Sequence, residues 1–259
     1  MITVATYNIK NAQPVEKIEH NWTHRKKELL QLICSRKWDI IGLQEVTEEQ
    51  WQDFARLEEF ERLGTVRDTE EYGEYNPILF RKTKYRCLES ETFWLSPTPQ
   101  KMSKADCWKA ACFRIATWAV LQDKETGKEI LVINTHFDHM SRLAREESAK
   151  QVLDFVQSQS YQEVILMGDL NAESDEPFYP ILCQFFTDVS VAVGQCMGPK
   201  GSFIDEDFPE EIEGKKLEKI DYIFVAGTFA IQTVEVVAEK RGNFYPSDHL
   251  PIECQLLHA

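Results

Sequence analysis

Glycine and proline are scarce in this chain, at 11 and 10 of 259 residues. That scarcity excludes a collagen-like or linker-rich architecture. Cations are in deficit as well. Lys and Arg total 29 against 43 Asp and Glu, a net charge of −14. Non-specific affinity for nucleic acid is largely phosphate neutralisation by Lys and Arg, so long duplex DNA is a poor fit. A phosphate substrate stays open where a divalent cation supplies local positive charge. No apolar run is long enough for a bilayer. The charge-free stretch Tyr222 to Val234 falls short of the ~20 residues a span needs. The seven cysteines are odd in number, scattered and without a CxxC pair, which argues against a zinc site or a disulfide framework. The expectation is reduced, mostly buried thiols in a cytoplasmic protein. The N-terminus, Met1 to Asn8, lacks a basic leader and reads as a strand from the start. Repeats and low-complexity tracts are absent. What is there is globular: 43% hydrophobic and 28% charged residues, enough for a sizeable core.

Apolar β-rich runs alternate with helical patterns. Strands are expected over Met1–Ile9, Asp39–Gln44, Asn76–Arg81, Tyr85–Ser90, Ala111–Gln122, Glu129–Asn134, Glu163–Met167, Ile220–Val225, Ala230–Val237 and Pro251–Leu256. Helices are expected from about Val15 to Arg36, over Ser141–Ser158, and between Pro177 and Phe185. Thr47 followed by Gln50 has the capping-box pattern and opens a further helix through Phe54 and Leu57. Residues 123–128 read as a hairpin loop and Gly198–Gly214 as a surface loop. No linker divides the chain, so residues 1–259 read as one domain: a mixed α/β (α+β) architecture with helices outside the sheets.

Polar residues recur where strands end. Asn8 closes the first strand and Glu45 follows the second. Asn134 and His136 close a central strand, and Gly168-Asp169-Leu170-Asn171 closes another. Asp221 opens a strand, and Ser247-Asp248-His249 precedes the last one. Sites of α/β proteins gather at such ends. Taken singly, each residue has a bland explanation as a turn or cap residue. The ordered set is the signal. If these ends converge, the carboxylates of Glu45, Asp169, Asp221 and Asp248 share one pocket and require a cation. Oxygen ligands favour a hard ion, Mg²⁺ with Mn²⁺ as a substitute, which takes one or two carboxylates plus substrate phosphate oxygens.

In this order the segments Thr6-Tyr7-Asn8-Ile9, Leu43-Gln44-Glu45-Val46, Asn134-Thr135-His136, Gly168-Asp169-Leu170-Asn171, Ile220-Asp221-Tyr222-Ile223 and Ser247-Asp248-His249 resemble the endonuclease/exonuclease/phosphatase superfamily. The resemblance runs from the first strand to the last. It implies a four-layer α/β sandwich, two mixed β-sheets face to face with helices outside. It also implies roles. Glu45 would be the principal Mg²⁺ ligand, with Asn8 beside it and Asp248 near the metal. Asp169 would orient or deprotonate the attacking water, and Asn171 would hold that water or a phosphate oxygen. His249, paired with Asp221, would stabilise developing charge on phosphorus. Asn134 and His136 would contact phosphate, and His136 would protonate the leaving oxygen. Relatives place an arginine where Arg114 stands, and a guanidinium is a natural phosphate partner. By contrast, Asp138 and Arg145 are spaced to form a structural ion pair on the following helix.

The segment Phe93-Trp94-Leu95-Ser96-Pro97-Thr98-Pro99, with Tyr75-Asn76-Pro77 and Tyr245-Pro246, resembles bacterial members related to the deadenylase and nocturnin branch. That makes Trp94, Trp108 and Asn76 candidate substrate contacts. One departure is Lys109, where relatives carry an acid after the tryptophan. The function implied is a Mg²⁺-dependent phosphoesterase, nuclease-like, a 3′→5′ exonuclease on RNA or short oligonucleotides. The alternative is hydrolysis of small phosphate esters such as nucleotides, sugar phosphates or inositol phosphates. A non-catalytic binding module is disfavoured because Glu45, Asp169 and His249 are all present. The implied partner is the phosphate-ester substrate, a single-stranded nucleic acid or a nucleotide, with no membrane and no obligate protein partner.

Overall fold

Twelve strands and five α-helices are described in the computed structural model of the chain, which covers residues 1–205, 208, 209 and 211–258. The strands are β1 (Ile2–Asn8), β2 (Ile40–Gln44), β3 (Phe60–Leu63), β4 (Ile78–Arg81), β5 (Tyr85–Trp94), β6 (Ile115–Asp123), β7 (Glu129–His136), β8 (Val164–Asp169), β9 (Thr187–Asp188), β10 (Asp221–Ala226), β11 (Phe229–Val236) and β12 (Ile252–His258). The helices are α1 (Trp22–Ser35), α2 (Glu48–Asp53), α3 (Arg142–Gln157), α4 (Phe178–Leu182) and α5 (Val189–Ala192).

The strands form two six-stranded sheets, ordered β11-β12-β1-β2-β4-β3 and β5-β6-β7-β8-β10-β9. Both are mixed, as expected. The pairs β1/β2 and β7/β8 are parallel, joined by crossovers through α1 and α3, which parallel pairing requires. Their other pairings are antiparallel.

Strand periodicity of two explains the layers. Val4, Ile40, Phe80, Val132, Ile165 and Ile223 point between the sheets into one shared core. Their neighbours Ala5, Ile41 and Leu79 face α1, packing on Trp22, Leu29 and Ile33. On the other sheet, Leu131, Leu166 and Phe224 face α3 and α4, packing on Val152, Val156 and Phe178. Strands covered on both faces therefore read as unbroken apolar runs. The sheets pack tightly at Gly42, where a Cβ would lie 2.7 Å from Asn134 Oδ1 and 2.9 Å from Met167 Cγ.

Several expected elements shift. Helix α1 begins at Trp22 because Asn21 is extended (φ −66°, ψ 148°) and its side chain accepts the Val15 N–H instead of capping a longer helix. A 3₁₀ turn, Ile18–His20, replaces the first part. The Thr47–Gln50 capping box is present at α2. Strands β3 and β9 have no counterpart among the expectations. They are short sheet-edge pieces, and Glu61 and Arg62 interrupt the apolar signal of the first. Of the loop expected over Gly198–Gly214, positions 206, 207 and 210 lie outside the described residues. The rest is not simply surface: Ser202, Ile204, Phe208 and Ile212 are buried, and Ile204 and Ile212 join the inter-sheet core. All seven thiols are unpaired, but only Cys254 is buried, which corrects the expectation of mostly buried cysteines. Cys34, Cys107 and Cys183 sit in or at the end of helical segments and are exposed. Among the described residues, no helix is long and apolar enough to cross a membrane.

Candidate active site

The topology brings the chemistry to one edge. Parallel β1 and β2, and parallel β7 and β8, deliver their C-terminal ends there, carrying Asn8, Glu45, His136 and Asp169. The antiparallel strands begin at the same edge. Asp221 opens β10 directly opposite Asp169, and His249 lies just before β12. Gly168 sets the last turn of β8. Its φ is +153°, and a Cβ there would lie 2.0 Å from Thr135 O, so only glycine fits before Asp169.

Local strain aims the side chains. Glu45, Lys10 and Asn171 are non-glycine residues with φ of 62°, 55° and 55°. Such conformations persist only where the surroundings hold them. The Asn8 amide nitrogen donates to Glu45 Oε1 (3.0 Å) and to Asp169 Oδ2 (2.9 Å). The Asn11 backbone and side-chain N–H groups donate to Glu45 Oε2, both at 3.1 Å. Asn171 donates its backbone N–H to Asp169 Oδ1 (2.9 Å) and its amide to Phe137 O (2.9 Å) and His136 Nε2 (2.8 Å). His249 Nδ1 meets Asp221 Oδ2 at 2.8 Å, and Ser202 Oγ donates to that same oxygen. His249 Nε2 faces Asp169 Oδ2 at 3.8 Å.

The two histidines are driven in opposite directions. Burial alone would push His249 down, but the charge and hydrogen bond of Asp221, with Asp169 and Asp248 nearby, raise it to about 10. It is therefore a cation at neutral pH. His136 is pushed well below its ordinary value by burial and by the positive charges of Arg114 and Arg67. His136 is therefore neutral, and its Nε2 already accepts from Asn171. Burial and the neighbouring Asp221 charge raise Asp169. Burial also raises Glu74, against the pull of Arg67 and with the push of Glu45.

Glu45, Glu74, Asp169 and Asp248 line one cavity of about 580 Å³. Carboxylates that crowd a cavity favour a bound cation or a shared proton. By distance, Asp169, Asp221 and His249 also offer three ligand atoms within 4.8 Å of one another. The carboxylates of the cavity fit a divalent ion, whereas His249, protonated, offers it no lone pair. Asn8 stands beside Glu45: its Oδ1 accepts the Lys10 N–H (3.0 Å) and its amide nitrogen orients two carboxylates. Asp248 Oδ2 is seated on Lys10 Nζ at 2.9 Å.

Arg114 is 6% exposed and lines the same cavity. Its Nη2 meets His139 Nδ1 at 3.2 Å, while Nε and Nη1 are buried without a protein partner among the described residues. Four expected contacts do not reach the cavity. Asn134 is fully buried beneath it, tying the sheets together. It accepts from Gln44 Nε2 and donates to Leu43 O and Pro77 O, each within 2.8 Å, so nothing is left for a phosphate. Asn76 is buried and donates to Ile115 O. Trp94 donates its indole N–H to Arg67 O, which backs the cavity wall. Trp108 packs on Ala105, Ala110 and Ala144. Arg145 also departs from expectation. It pairs with Glu176 at 2.7 Å and reaches only the backbone oxygen of Asp138. The Asp138 carboxylate is taken up by the N–H groups of Ala111, Met140 and Ser141.

The sequence reading missed Lys10, Asn11, Arg25, Arg67, Glu74 and Ser202. Arg25 carried a legible signal. It lies between Trp22 and Leu29 on the apolar stripe of α1, and it is 1% exposed. A charged residue in such a stripe is buried for a purpose. Glu74 likewise precedes a strand that starts at the functional edge. A larger cavity of about 670 Å³ lies behind Lys216 and Lys219 but holds none of the groups converging at the strand ends.

A family model, Endonuclease/Exonuclease/phosphatase family, matches residues 5–249. The chain belongs to this family. It is 34% identical to the endonuclease/exonuclease/phosphatase of Bacteroides vulgatus, with a TM-score of 0.91 over 100% of this chain and 99% of that one. It is 28% identical to a mannosyl-6-phosphatase of Bacteroides thetaiotaomicron, with a TM-score of 0.89 over 99% and 100% of the two chains. It is 26% identical to nocturnin of Drosophila melanogaster over 90% of this chain, and the match spans 41% of that protein's length. The family-level conclusion is a phosphoesterase-type hydrolase.

Proposed function

We propose that this protein is a Mg²⁺-dependent phosphatase of small phosphate esters, acting by in-line attack of water on phosphorus. The observation that carries the reading is the Arg114 guanidinium. It is buried in a cavity of about 580 Å³ that also holds Asp169 and His249, with two nitrogens lacking a protein partner among the described residues. A guanidinium so placed recognises phosphate oxygens. The cavity is the size of small-ligand sites, and the charge of −14 disfavours a long polyanion. The mannosyl-6-phosphatase supports the same direction.

Glu45 is the residue that would hold the ion, consistent with the one or two carboxylates Mg²⁺ takes. When bound, the ion polarises the phosphoryl group and lowers the pKa of water. The chain's own groups do the rest. Asp169, fixed by Asn8 and Asn171, accepts a proton from the attacking water. His249, held cationic by Asp221, stabilises negative charge growing on the phosphoryl oxygens. Arg114 fixes the phosphate in line. A cytoplasmic setting, with the seven thiols unpaired, belongs to this reading.

A second reading, a 3′→5′ exonuclease on RNA or short oligonucleotides, is favoured by the nocturnin likeness and the Phe93–Pro99 resemblance. The test compares hexose 6-phosphates and nucleoside monophosphates with a labelled oligoadenylate, with and without EDTA. Turnover of the monoesters, lost with EDTA and in Glu45→Gln, is expected. Shortening of the oligoadenylate without monoester turnover selects the second reading, and activity indifferent to EDTA removes the metal from both.

A further inference from the structure

The wall beside Arg114 brings together three side chains that the proposed hydrolysis does not use as a set. Cys112 lies in the segment leading into β6, and Asp138 and His139 lie between β7 and α3. Each offers one ligand atom, and the three atoms lie within 4.8 Å of one another. Cys112 and His139 line the cavity that holds Glu45, Asp169 and His249, and Asp138 is buried next to them. Sequence spacing does not announce the set. The fold makes it, because the Ala111 N–H donates to Asp138 Oδ2 at 2.8 Å and ties the Cys112 segment to the turn that carries His139.

A thiol, an imidazole and a carboxylate are the donor types that bind Zn²⁺, and three protein ligands leave its fourth position open. Ligand atoms about 2.0–2.3 Å from a tetrahedral ion stand roughly 3.5 Å apart. A small closure therefore completes the set, and His139 is the exposed member with freedom to make it. Asp138 has an oxygen to give. A carboxylate has about four acceptor positions. The Met140 and Ser141 N–H groups take two on Oδ1 and Ala111 takes one on Oδ2, so one on Oδ2 is left. Burial and the Arg114 charge hold His139 below its ordinary value, so its imidazole is neutral and keeps a lone pair. Burial raises the Cys112 thiol. A hard ion such as Mg²⁺ does not draw off its proton, whereas a thiophilic ion does.

We propose that Cys112, Asp138 and His139 form a site for a thiophilic divalent ion, Zn²⁺ above all, and that filling it inhibits hydrolysis. The site itself does not depend on an ion at Glu45; its effect on hydrolysis rests on the function proposed above. Binding exchanges the thiol proton, released to solvent, for a metal–sulfur bond. The set then carries one more positive charge than before, beside Arg114, and His139 Nδ1 stands only 3.2 Å from Arg114 Nη2. A phosphate oxygen in the open position offsets that charge, which holds the phosphate on the zinc instead of in line with the attacking water.

The test titrates Co²⁺, a spectroscopic stand-in for Zn²⁺, into the full chain in excess Mg²⁺. One equivalent is expected to raise an ultraviolet thiolate-to-metal charge-transfer band, and Zn²⁺ is expected to remove it. Cys112→Ser is expected to lose the band and His139→Gln to weaken it, while Glu45→Gln keeps it; circular dichroism on each variant shows that it is folded. Hydrolysis of a phosphate monoester in excess Mg²⁺ is expected to fall as Zn²⁺ is added. In Cys112→Ser, measured against its own zinc-free rate, the Zn²⁺ needed for half-inhibition is expected to rise by more than the ~10–100-fold that losing an outer-shell partner costs. A wild type without the band, or a band unchanged in folded Cys112→Ser, overturns the site. A band with hydrolysis indifferent to Zn²⁺ overturns the inhibition. No hydrolysis in Mg²⁺ alone overturns the proposed function instead, and the band still decides the site.

Discussion

His249 and Asp221 come from different sheets, yet their side chains meet at 2.8 Å because β10 and the segment before β12 both begin at the functional edge. The pair makes a pH prediction. Asp221 raises His249 to about 10, so the imidazolium persists through neutral pH and is lost only as pH rises through that value. Activity should hold to near pH 10 and fall above it. Removing the carboxylate charge in Asp221→Asn removes the largest raising influence. The alkaline fall should then move down toward the ordinary histidine value of ~6.5. At pH 8 the variant should lose about 10²–10³-fold in kcat, the scale of losing one preorganised charge donor. A pH profile of kcat on both proteins checks this; an alkaline limb that does not move in Asp221→Asn removes His249 from the charged role.

Arg25 makes a stability prediction. Its guanidinium is enclosed and satisfies five backbone carbonyls on three segments of chain. Arg25→Ala leaves those carbonyls to find water in a buried place. Breaking such a network should cost about 3–5 kcal/mol, read from urea unfolding. Arg25→Lys keeps the charge but cannot reach all five acceptors, so it should recover only part of that loss. Full stability in Arg25→Ala would mean that the turn over residues 9–11 holds without the clamp.

Much of the frame was legible because two-sided burial leaves continuous apolar runs, and because the functional residues stand at the ends of those runs. Asn8, Glu45, Asp169, Asp221 and His249 could be found as a set for that reason. What stayed hidden depended on direction. Strand ends do not say which polar group faces outward, so Asn134 reads like Asp169 in sequence although it points between the sheets. Arg145 is spaced for Asp138, yet the partner the fold offers is Glu176, 31 residues on. Partnerships across elements, such as Lys10 with Asp248, have no local signature at all.

Gly42 joins the sheet interface to the site. A methyl group there would meet Asn134 Oδ1 at 2.7 Å, Asn134 Cγ at 2.8 Å and Met167 Cγ at 2.9 Å. Asn134 has no slack, because three hydrogen bonds fix it to β2 and the segment before β4. Gly42→Ala should therefore destabilise the chain by about 1–3 kcal/mol, as overpacking does. Activity should fall as well, because Met167 lies two residues before Asp169. Unfolding curves alongside kcat check both parts; a variant as stable and active as the wild type would show that the sheets can separate locally at no cost.

Asp138 lies beyond the catalytic groups but shapes the wall that carries Arg114. Its carboxylate accepts from Ala111 N–H (2.8 Å), Met140 N–H (3.0 Å) and Ser141 N–H (2.7 Å). It thereby ties the segment leading into β6 to the start of α3. Burial would raise the carboxyl, but these backbone donors outweigh it and hold it below the ordinary range. A depressed carboxylate contributes stability that is complete above its unfolded value of ~3.9 and is lost as pH falls through the folded value. Asp138→Ala should release the Ala111 end and let Arg114 drift. KM for a phosphate ester should then rise by about tenfold, the loss of roughly 1.4 kcal/mol of positioning. The effect on kcat should be smaller, because Asp169 and His249 rest on other elements. Asp138→Asn keeps one acceptor oxygen, so it should hold one or two of the three bonds and show an intermediate KM. Steady-state kinetics on the two variants decides the matter: a fall in kcat at constant KM would place Asp138 with the reacting groups rather than with the wall.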